Sequence, residues 1–196
     1  MSMARYQEPK FLAKKPLFSF LGRKFWIYGP DGSVQFYVER KAFSLKEAIK
    51  VFGDEAKTQH LLSIGARNIL DISATYDVTD EATGKKVGAL RRKGLKSILR
   101  DEWLILDTND QEIGTIQEDS MAMAMIRRFV PGGNLIPQKY SLSIGGQSVG
   151  FIKQHFNPFI LKYDVDFSAD GGNTLDRRLG IAAVTMMLII EGRQQS

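Results

Sequence analysis

The sequence predicts a mainly β protein: a closed antiparallel barrel of about twelve strands, wrapped around a central hydrophobic helix near its carboxy-terminal end. Three observations support this prediction. Short segments with period-two alternation of apolar and polar residues recur along the chain. Turn-forming residues separate these segments at the spacing of hairpins. A continuous apolar block, Leu179 to Ile190, follows the last of them.

The apolar block sets the architecture. Its twelve residues are interrupted only by Gly180 and Thr185, whereas a transmembrane helix needs roughly twenty. We expect one helix from about residue 176 to 191, capped by Asn173 or Thr174. Because no face of this helix is polar, it must be enclosed on all sides. An eight-stranded barrel is filled by its own side chains, so enclosing a helix needs about eleven strands or more.

The strand-like segments carry apolar residues at alternate positions, as half-buried antiparallel strands do. The clearest alternating sets are Val34, Phe36 and Val38; Ile72, Ala74, Tyr76 and Val78; Tyr140, Leu142 and Ile144; and Tyr163, Val165 and Phe167. Hairpin turns are predicted at Gly29–Gly32, Thr83–Gly84, Thr108–Asp110 and Gly145–Gly146.

A weak repeat consists of a turn followed by the first residues of a short strand. It recurs at Ser33–Phe36, Lys86–Ala89, Glu112–Thr115 and Ser148–Phe151. Its irregular spacing favours repeated hairpins in one sheet over a solenoid. Residues 120–130 remain open between two interpretations, because alternating methionine and alanine fits either a short surface helix or a strand.

Composition indicates one globular domain, since the chain has 196 residues of which 43% are hydrophobic. We expect a basic amino-terminal arm over residues 1–17 and a barrel domain over residues 18–196. No secretory signal is apparent, so we expect a cytoplasmic protein that is possibly peripheral to a membrane. The absence of cysteine excludes disulfides, thiol nucleophiles and thiolate metal sites.

Little in the sequence indicates catalysis, and we expect a protein that is not an enzyme and has no cofactor. The two histidines, His60 and His155, lie in no metal-ligand spacing. Asp164, Asp166 and Asp170 form a weak candidate metal site, because Asp166 and Asp170 begin a pattern like half of a calcium-binding loop. That loop needs a closing glutamate where this chain has Arg177. We therefore expect no metal site.

Charge placement is the strongest functional indication. Residues 1–24 carry six basic side chains and one acidic one, Glu8. Residues 85–100 carry seven basic side chains and no acidic one: Lys85, Lys86, Arg91, Arg92, Lys93, Lys96 and Arg100. Such a patch suits anionic lipid headgroups. Basic residues that only protect exposed strand edges explain the pattern equally well.

Two parts of the chain resemble a known group of proteins. Phe25–Tyr28, Pro30–Phe36 and Arg40–Leu45 resemble the opening hairpins of LURP-one-related proteins. Tyr163–Phe167, followed by Asp176–Leu179 and the apolar helix, is similar to the close of LURP-one-related, phospholipid scramblase and Tubby carboxy-terminal domains. The resemblance covers about residues 18 to 191 and implies a twelve-stranded barrel around a central helix.

The resemblance also guides the functional expectation. Tubby-type domains bind phosphoinositides through basic residues, and scramblases have an acidic stretch, implicated in calcium binding, near the position of Asp166. We expect a non-enzymatic barrel domain that binds anionic, phosphoinositide-like membrane phospholipid or an acidic partner through residues 85–100. A nucleic-acid-linked regulator is the alternative. A scramblase is a weaker one, because the animal scramblases have cysteine-rich and proline-rich segments that this chain lacks.

Overall fold

The computed structural model describes residues 4–16, 24–40, 49–67, 74–93, 102–119, 136–157 and 159–194. A short helix, α1 (Ala4–Gln7), precedes the strands, and a long helix, α2 (Arg177–Gln194), follows them. The strands are β1 (Lys10–Pro16), β2 (Lys24–Tyr28), β3 (Val34–Glu39), β4 (Ile49–Phe52), β5 (His60–Ala66), β6 (Thr75–Asp80), β7 (Lys85–Arg92), β8 (Glu102–Leu106), β9 (Glu112–Glu118), β10 (Lys139–Ile144), β11 (Gln147–His155) and β12 (Ile160–Asp166).

The strands form a closed barrel in which each one pairs with its neighbours in sequence and β1 pairs with β12. All of these pairings are antiparallel. The predicted antiparallel barrel of about twelve strands is confirmed.

The predicted boundary between an arm and the barrel at residue 17 is wrong. Residues 10–16 form β1, which pairs with β12 from Lys10 to Pro16 and with β2 from Leu12 to Lys14. Its alternating side chains Phe11 and Ala13 face the core. Lysines here suggest an arm in sequence, but Lys10 and Lys14 belong to the outward side of a strand that closes the barrel. Lys15 points inward, where its ammonium group donates to the Leu188 carbonyl oxygen at 3.2 Å.

Helix α2 lies within the barrel, as the sequence predicts. Its side chains from Leu179 to Ile189 are buried on every side and share one core with residues from the surrounding strands. The expected cap is wrong by two to three residues, because Asp176 rather than Asn173 or Thr174 caps the helix. The Asp176 carboxylate accepts the N–H of Arg178 at 2.9 Å, and its carbonyl oxygen accepts the N–H of Leu179. No helix among the described residues combines the length and hydropathy that crossing a bilayer requires.

The five tight hairpins share one local feature, which explains the weak sequence repeat. Each has a register shift beside its turn, at Ile27/Tyr28, Val51/Phe52, Val78/Thr79, Ile105/Leu106 and Leu142/Ser143. A bulge adds local twist and bends the strand, which helps a sheet to curl into a barrel. The Gly145–Gly146 turn has φ values of 55° and 79°, which favour glycine in a two-residue hairpin.

The barrel has two rims that differ in their connections. At the rim that we call the turn rim, residues 29–33, 53–59, 81–84, 107–111 and 145–146 join consecutive strands and residues 167–176 lead into α2. The strand ends at the opposite rim, which we call the tip rim, include residues 16, 24, 39–40, 49, 66–67, 74–75, 92–93, 102, 118–119, 139, 155 and 160. The predicted element over residues 120–130 lies outside the described residues.

Candidate functional site

The predicted basic stretch does not form one continuous patch. Lys85 and Lys86 begin β7 at the turn rim, whereas Arg91, Arg92 and Lys93 lie at the tip rim. The eight residues of β7 place its two ends about 23 Å apart, at the usual rise of a strand. The two remaining members, Lys96 and Arg100, lie outside the described residues.

Several members of this stretch also have partners. Lys86 Nζ lies 2.6 Å from Asp110 and 3.4 Å from Asp77, and Lys93 Nζ lies 2.5 Å from Glu102. Arg91 faces outward and donates Nε–H to the Thr75 hydroxyl at 3.1 Å. Arg92 is in register with Trp103, whose side chain lies in the core.

Strand alternation therefore places Arg92 on the inner face and Arg91 and Lys93 on the outer one. Of the five described members, only Lys85 is fully exposed.

Two neighbouring carboxylates, Asp77 and Asp110, explain why Lys86 contributes little to a positive electrostatic potential at the surface. Hydrogen bonds from Arg67 lower the pKa of both Asp77 and Asp110, and Lys86 lowers the pKa of Asp110 further. Both carboxylates are therefore charged at neutral pH. Two cations face two anions in this cluster, which leaves its net charge near zero.

The three candidate metal ligands have separate roles. Asp164 lies 2.6 Å from His155 Nε2, and Asp166 accepts the N–H of Ser168 at 2.8 Å. Asp170 is buried and accepts hydrogen bonds from the Thr174 hydroxyl and the Thr174 and Leu175 N–H groups. It therefore shapes the connection into α2. In the described part of the chain, no group of three side chains is arranged to hold a metal ion.

His60 has neighbours that the sequence did not indicate. Its Nε2 lies 3.3 Å from the Ser63 hydroxyl, and its Nδ1 lies 3.7 Å from Glu81. This order of groups is that of a catalytic triad, but both distances exceed the 2.6–3.2 Å typical of such contacts. The His60 ring stacks on Phe52 with a centroid separation of 4.9 Å. The groove of about 420 Å³ found among the described residues lies between β1 and the β2–β3 turn, away from His60.

An exposed apolar surface lies at the tip rim, where β11 turns into β12. Phe156, Phe159 and Ile160 are 58%, 68% and 38% exposed. We call these three residues the apolar tip. Sequence reasoning missed this surface, because alternation cannot tell which apolar residues of a turn lie outside a barrel.

Beside the apolar tip lies a row of basic side chains on the outer face. Lys14 of β1 is directly opposite Lys162 of β12, which is directly opposite His155 of β11. We call Lys14, Lys162 and His155 the basic row. Burial alternates in β1 and β12 so that Lys14 and Lys162 both point outward. Lys14 Nζ lies 4.9 Å from the centre of the Tyr28 ring, and Lys162 makes no ion pair within the described residues.

The connections at the turn rim are acidic. They contain eight acidic side chains and one lysine, which gives a net charge of −7. At the tip rim, the described connecting residues contain Arg40, Arg67, Lys93 and Asp119, which gives +2. Among the described connections, the rim that bears the apolar tip is therefore the more positive one.

The comparison with protein families agrees with this architecture. The profile of the LURP-one-related family matches residues 10–188, from the first barrel strand almost to the end of the buried part of α2. No curated protein and no solved structure matches the chain. The match begins at β1, which agrees with the corrected start of the barrel. The profile spans most of the 196 residues of this chain, and the chain therefore belongs to the LURP-one-related family.

Proposed function

We propose that this protein is a non-enzymatic barrel domain that binds the surface of a membrane containing anionic phospholipid. The observation that carries the proposal is the pair formed by Lys14 and Lys162, which lie directly opposite each other on the outer face. Residues in such a pair have Cβ atoms about 4.5–5.5 Å apart, and like charges at this distance destabilise a sheet. Anionic groups close to both side chains offset that repulsion, and the phosphates of a lipid surface carry the required charge.

The surroundings of this pair favour a charged surface over a single small anion. The connections at the turn rim carry a net charge of −7, so a negatively charged plane repels that rim more strongly than the rim beside the basic row. Each lysine or arginine close to an anionic bilayer contributes about 1 kcal/mol. This field orients the protein with the basic row and the tip rim toward the lipid.

The proposal modifies the site expected from the sequence. Arg91 and Lys93 lie at the tip rim on the outer face and remain part of the proposed surface, whereas Arg92 faces inward. Lys85 and Lys86 lie at the opposite rim, where acidic side chains predominate. We therefore place the centre of the lipid-binding surface on β1 and β12.

Co-sedimentation with liposomes tests this proposal. The wild-type protein is expected to sediment with vesicles that contain anionic phospholipid and not with neutral ones. The double variant Lys14→Glu, Lys162→Glu should bind the anionic vesicles at least about ten-fold more weakly, because two favourable charges become repulsive. Binding should also weaken as salt rises, since charge interactions are screened over ~8 Å at physiological ionic strength.

A matched control separates this site from a general effect of net charge. Lys10 and Lys85 are exposed lysines at the turn rim, so the variant Lys10→Glu, Lys85→Glu changes the net charge by the same amount. It should retain most of the binding. Equal losses in the two double variants would contradict a localised site, and equal affinity for duplex nucleic acid at the same salt would contradict selectivity for lipid.

A further inference from the structure

We infer that the apolar tip is a membrane anchor, which inserts into the boundary between headgroups and acyl chains while the basic row contacts lipid phosphates. This inference rests on the proposed function and adds to it a second, uncharged contribution. Phe156, Phe159 and Ile160 are the exposed large hydrophobic residues of the described chain, and all three lie within five consecutive positions. Single exposed apolar residues are ordinary on a protein surface, whereas a cluster of them marks an interaction site.

The tip has a defined backbone. The Asn157 side-chain oxygen accepts the N–H groups of both Phe159 and Ile160, each at 2.9 Å. An asparagine turn of this kind fixes the local conformation. It also satisfies two backbone donors from within the protein. Donors that keep a partner cost far less to bring into an apolar environment than donors that lose water without replacement.

The spacing of the two features matches the depth of an interfacial anchor. Ile160 and Lys162 are two residues apart on the same face of β12, which corresponds to about 7 Å along the strand. Phe159 precedes Ile160 in the chain, at the end of β12 that faces the tip rim. With the ammonium group of Lys162 at the level of the phosphates, the tip reaches the depth of about 5–10 Å at which interfacial segments are buried.

The shape of the tip favours lipid over a folded protein partner. It consists of three side chains on a narrow turn, whereas a stable protein interface buries about 800 Å² on each partner. An aromatic side chain presents at most about 150–250 Å², so the tip alone is too small for such an interface. The flanking cations complement a phosphate layer and add to the apolar contact.

A tryptophan placed in the tip measures insertion once the emission of the wild type, which contains Trp26 and Trp103, is subtracted. The emission added by Phe159→Trp is expected to shift to the blue on anionic vesicles and to be quenched by brominated acyl chains. Ala82→Trp is the matched control, because Ala82 is exposed in a tight turn at the opposite rim. Its emission should not change. Quenching at position 82 but not at position 159 would overturn the inferred orientation and the anchor with it.

A second pair of measurements distinguishes the anchor from the proposed function. The variant Phe156→Ser, Phe159→Ser should still sediment with anionic vesicles at low salt, because the basic row is intact. At about 0.5 M salt, where charges are screened, the wild type should retain binding that this variant loses by about ten-fold. Identical salt curves for the two proteins would refute the anchor and leave charge-based lipid binding standing.

Two other outcomes are decisive. A wild-type protein that fails to sediment with anionic vesicles at any salt concentration would refute both the proposed function and the membrane anchor. Gel filtration with light scattering checks for self-association in the absence of lipid. A dimer in the wild type that becomes a monomer in the Phe156→Ser, Phe159→Ser variant would show that a second copy of the chain covers the tip, which overturns the anchor.

Discussion

Thr185 is the one polar side chain among the fully buried positions of α2, and its hydroxyl donates to the carbonyl oxygen of Ile181 at 2.8 Å. Thr185→Lys would place an unpaired charge in the centre of the barrel. That costs several kcal/mol, against a typical total stability of about 5–15 kcal/mol. We expect this variant to be absent from the soluble fraction or to lack a cooperative thermal transition.

The control for this prediction is Thr185→Val, which keeps the shape of the side chain and removes the hydroxyl. Its free energy of unfolding should change by about 1 kcal/mol or less, because the Ile181 carbonyl also serves the helix backbone. A soluble and folded Thr185→Lys protein would contradict a position inside the barrel.

The acidic pair on the outer face predicts a pH dependence of stability. Hydrogen bonds from Arg67, and for Asp110 also from Lys86, lower the pKa of Asp77 and Asp110 in the folded protein. A lowered pKa stabilises the folded state above the ordinary carboxyl pKa near 4, and this contribution is lost as the pH falls through the folded value. The midpoint of thermal unfolding should therefore decrease between about pH 4 and pH 2.

Asp110→Asn removes one of these groups and should make that decrease shallower. Thermal unfolding of both proteins, followed by circular dichroism at several pH values, measures the difference. Parallel curves for the wild type and Asp110→Asn would show that this cluster contributes nothing to acid sensitivity.

At the scale of elements, the bulges explain why glycine follows several turns. An added Cβ at Gly150 would overlap the carbonyl oxygen of Asp166 on the neighbouring strand and lie 3.0 Å from the Phe167 ring. Gly150→Ala should therefore lower the free energy of unfolding by about 1–3 kcal/mol. In a chain of this length such a loss lowers the melting temperature by several degrees.

Gly65 provides the comparison, because it also lies in a strand but has no heavy atom within 4 Å of an added Cβ. Gly65→Ala should leave stability unchanged or raise it by about 0.5–1 kcal/mol, since alanine loses less conformational entropy on folding. Chemical denaturation of the two variants tests the prediction. Equal stabilities would mean that the strands can move apart at the bulge without cost.

At the scale of the whole molecule, the closed barrel gives the first strand an importance that its sequence conceals. β1 pairs with β12 on one side and with β2 on the other. A chain that lacks residues 1–16 leaves two strand edges open and exposes the central helix, and we expect it to aggregate or to lack a cooperative unfolding transition. A folded, monomeric truncated protein would contradict the structural role of β1.

The fold was predictable because it depends on local patterns. Residues 179–190 are apolar on every side, and only enclosure satisfies such a helix in water. Alternation and turn residues along the chain then specify antiparallel hairpins around it. Lysines in β1 obscured one strand, because a short strand with charged outward residues resembles an arm in sequence. The N-cap at Asp176 was missed because Asn173, Thr174 and Asp176 are all acceptable capping residues, and sequence alone does not choose among them.

The candidate site was not predictable in the same way. A count of charges along the sequence predicted that Lys85 and Arg92 belong to one patch. In the structure they lie at opposite ends of β7, and strand alternation places neighbouring residues on opposite faces of the sheet. Barrel closure brings together Lys14 and Lys162, which are 148 positions apart in the sequence. By itself the sequence determined the barrel and its central helix, because these follow from local periodicity, and it carried the resemblance to the family in the motifs of its opening hairpins and its close. Only the tertiary structure decided which cations share a surface and which apolar residues remain exposed, because both depend on the register of strands that are distant in the chain.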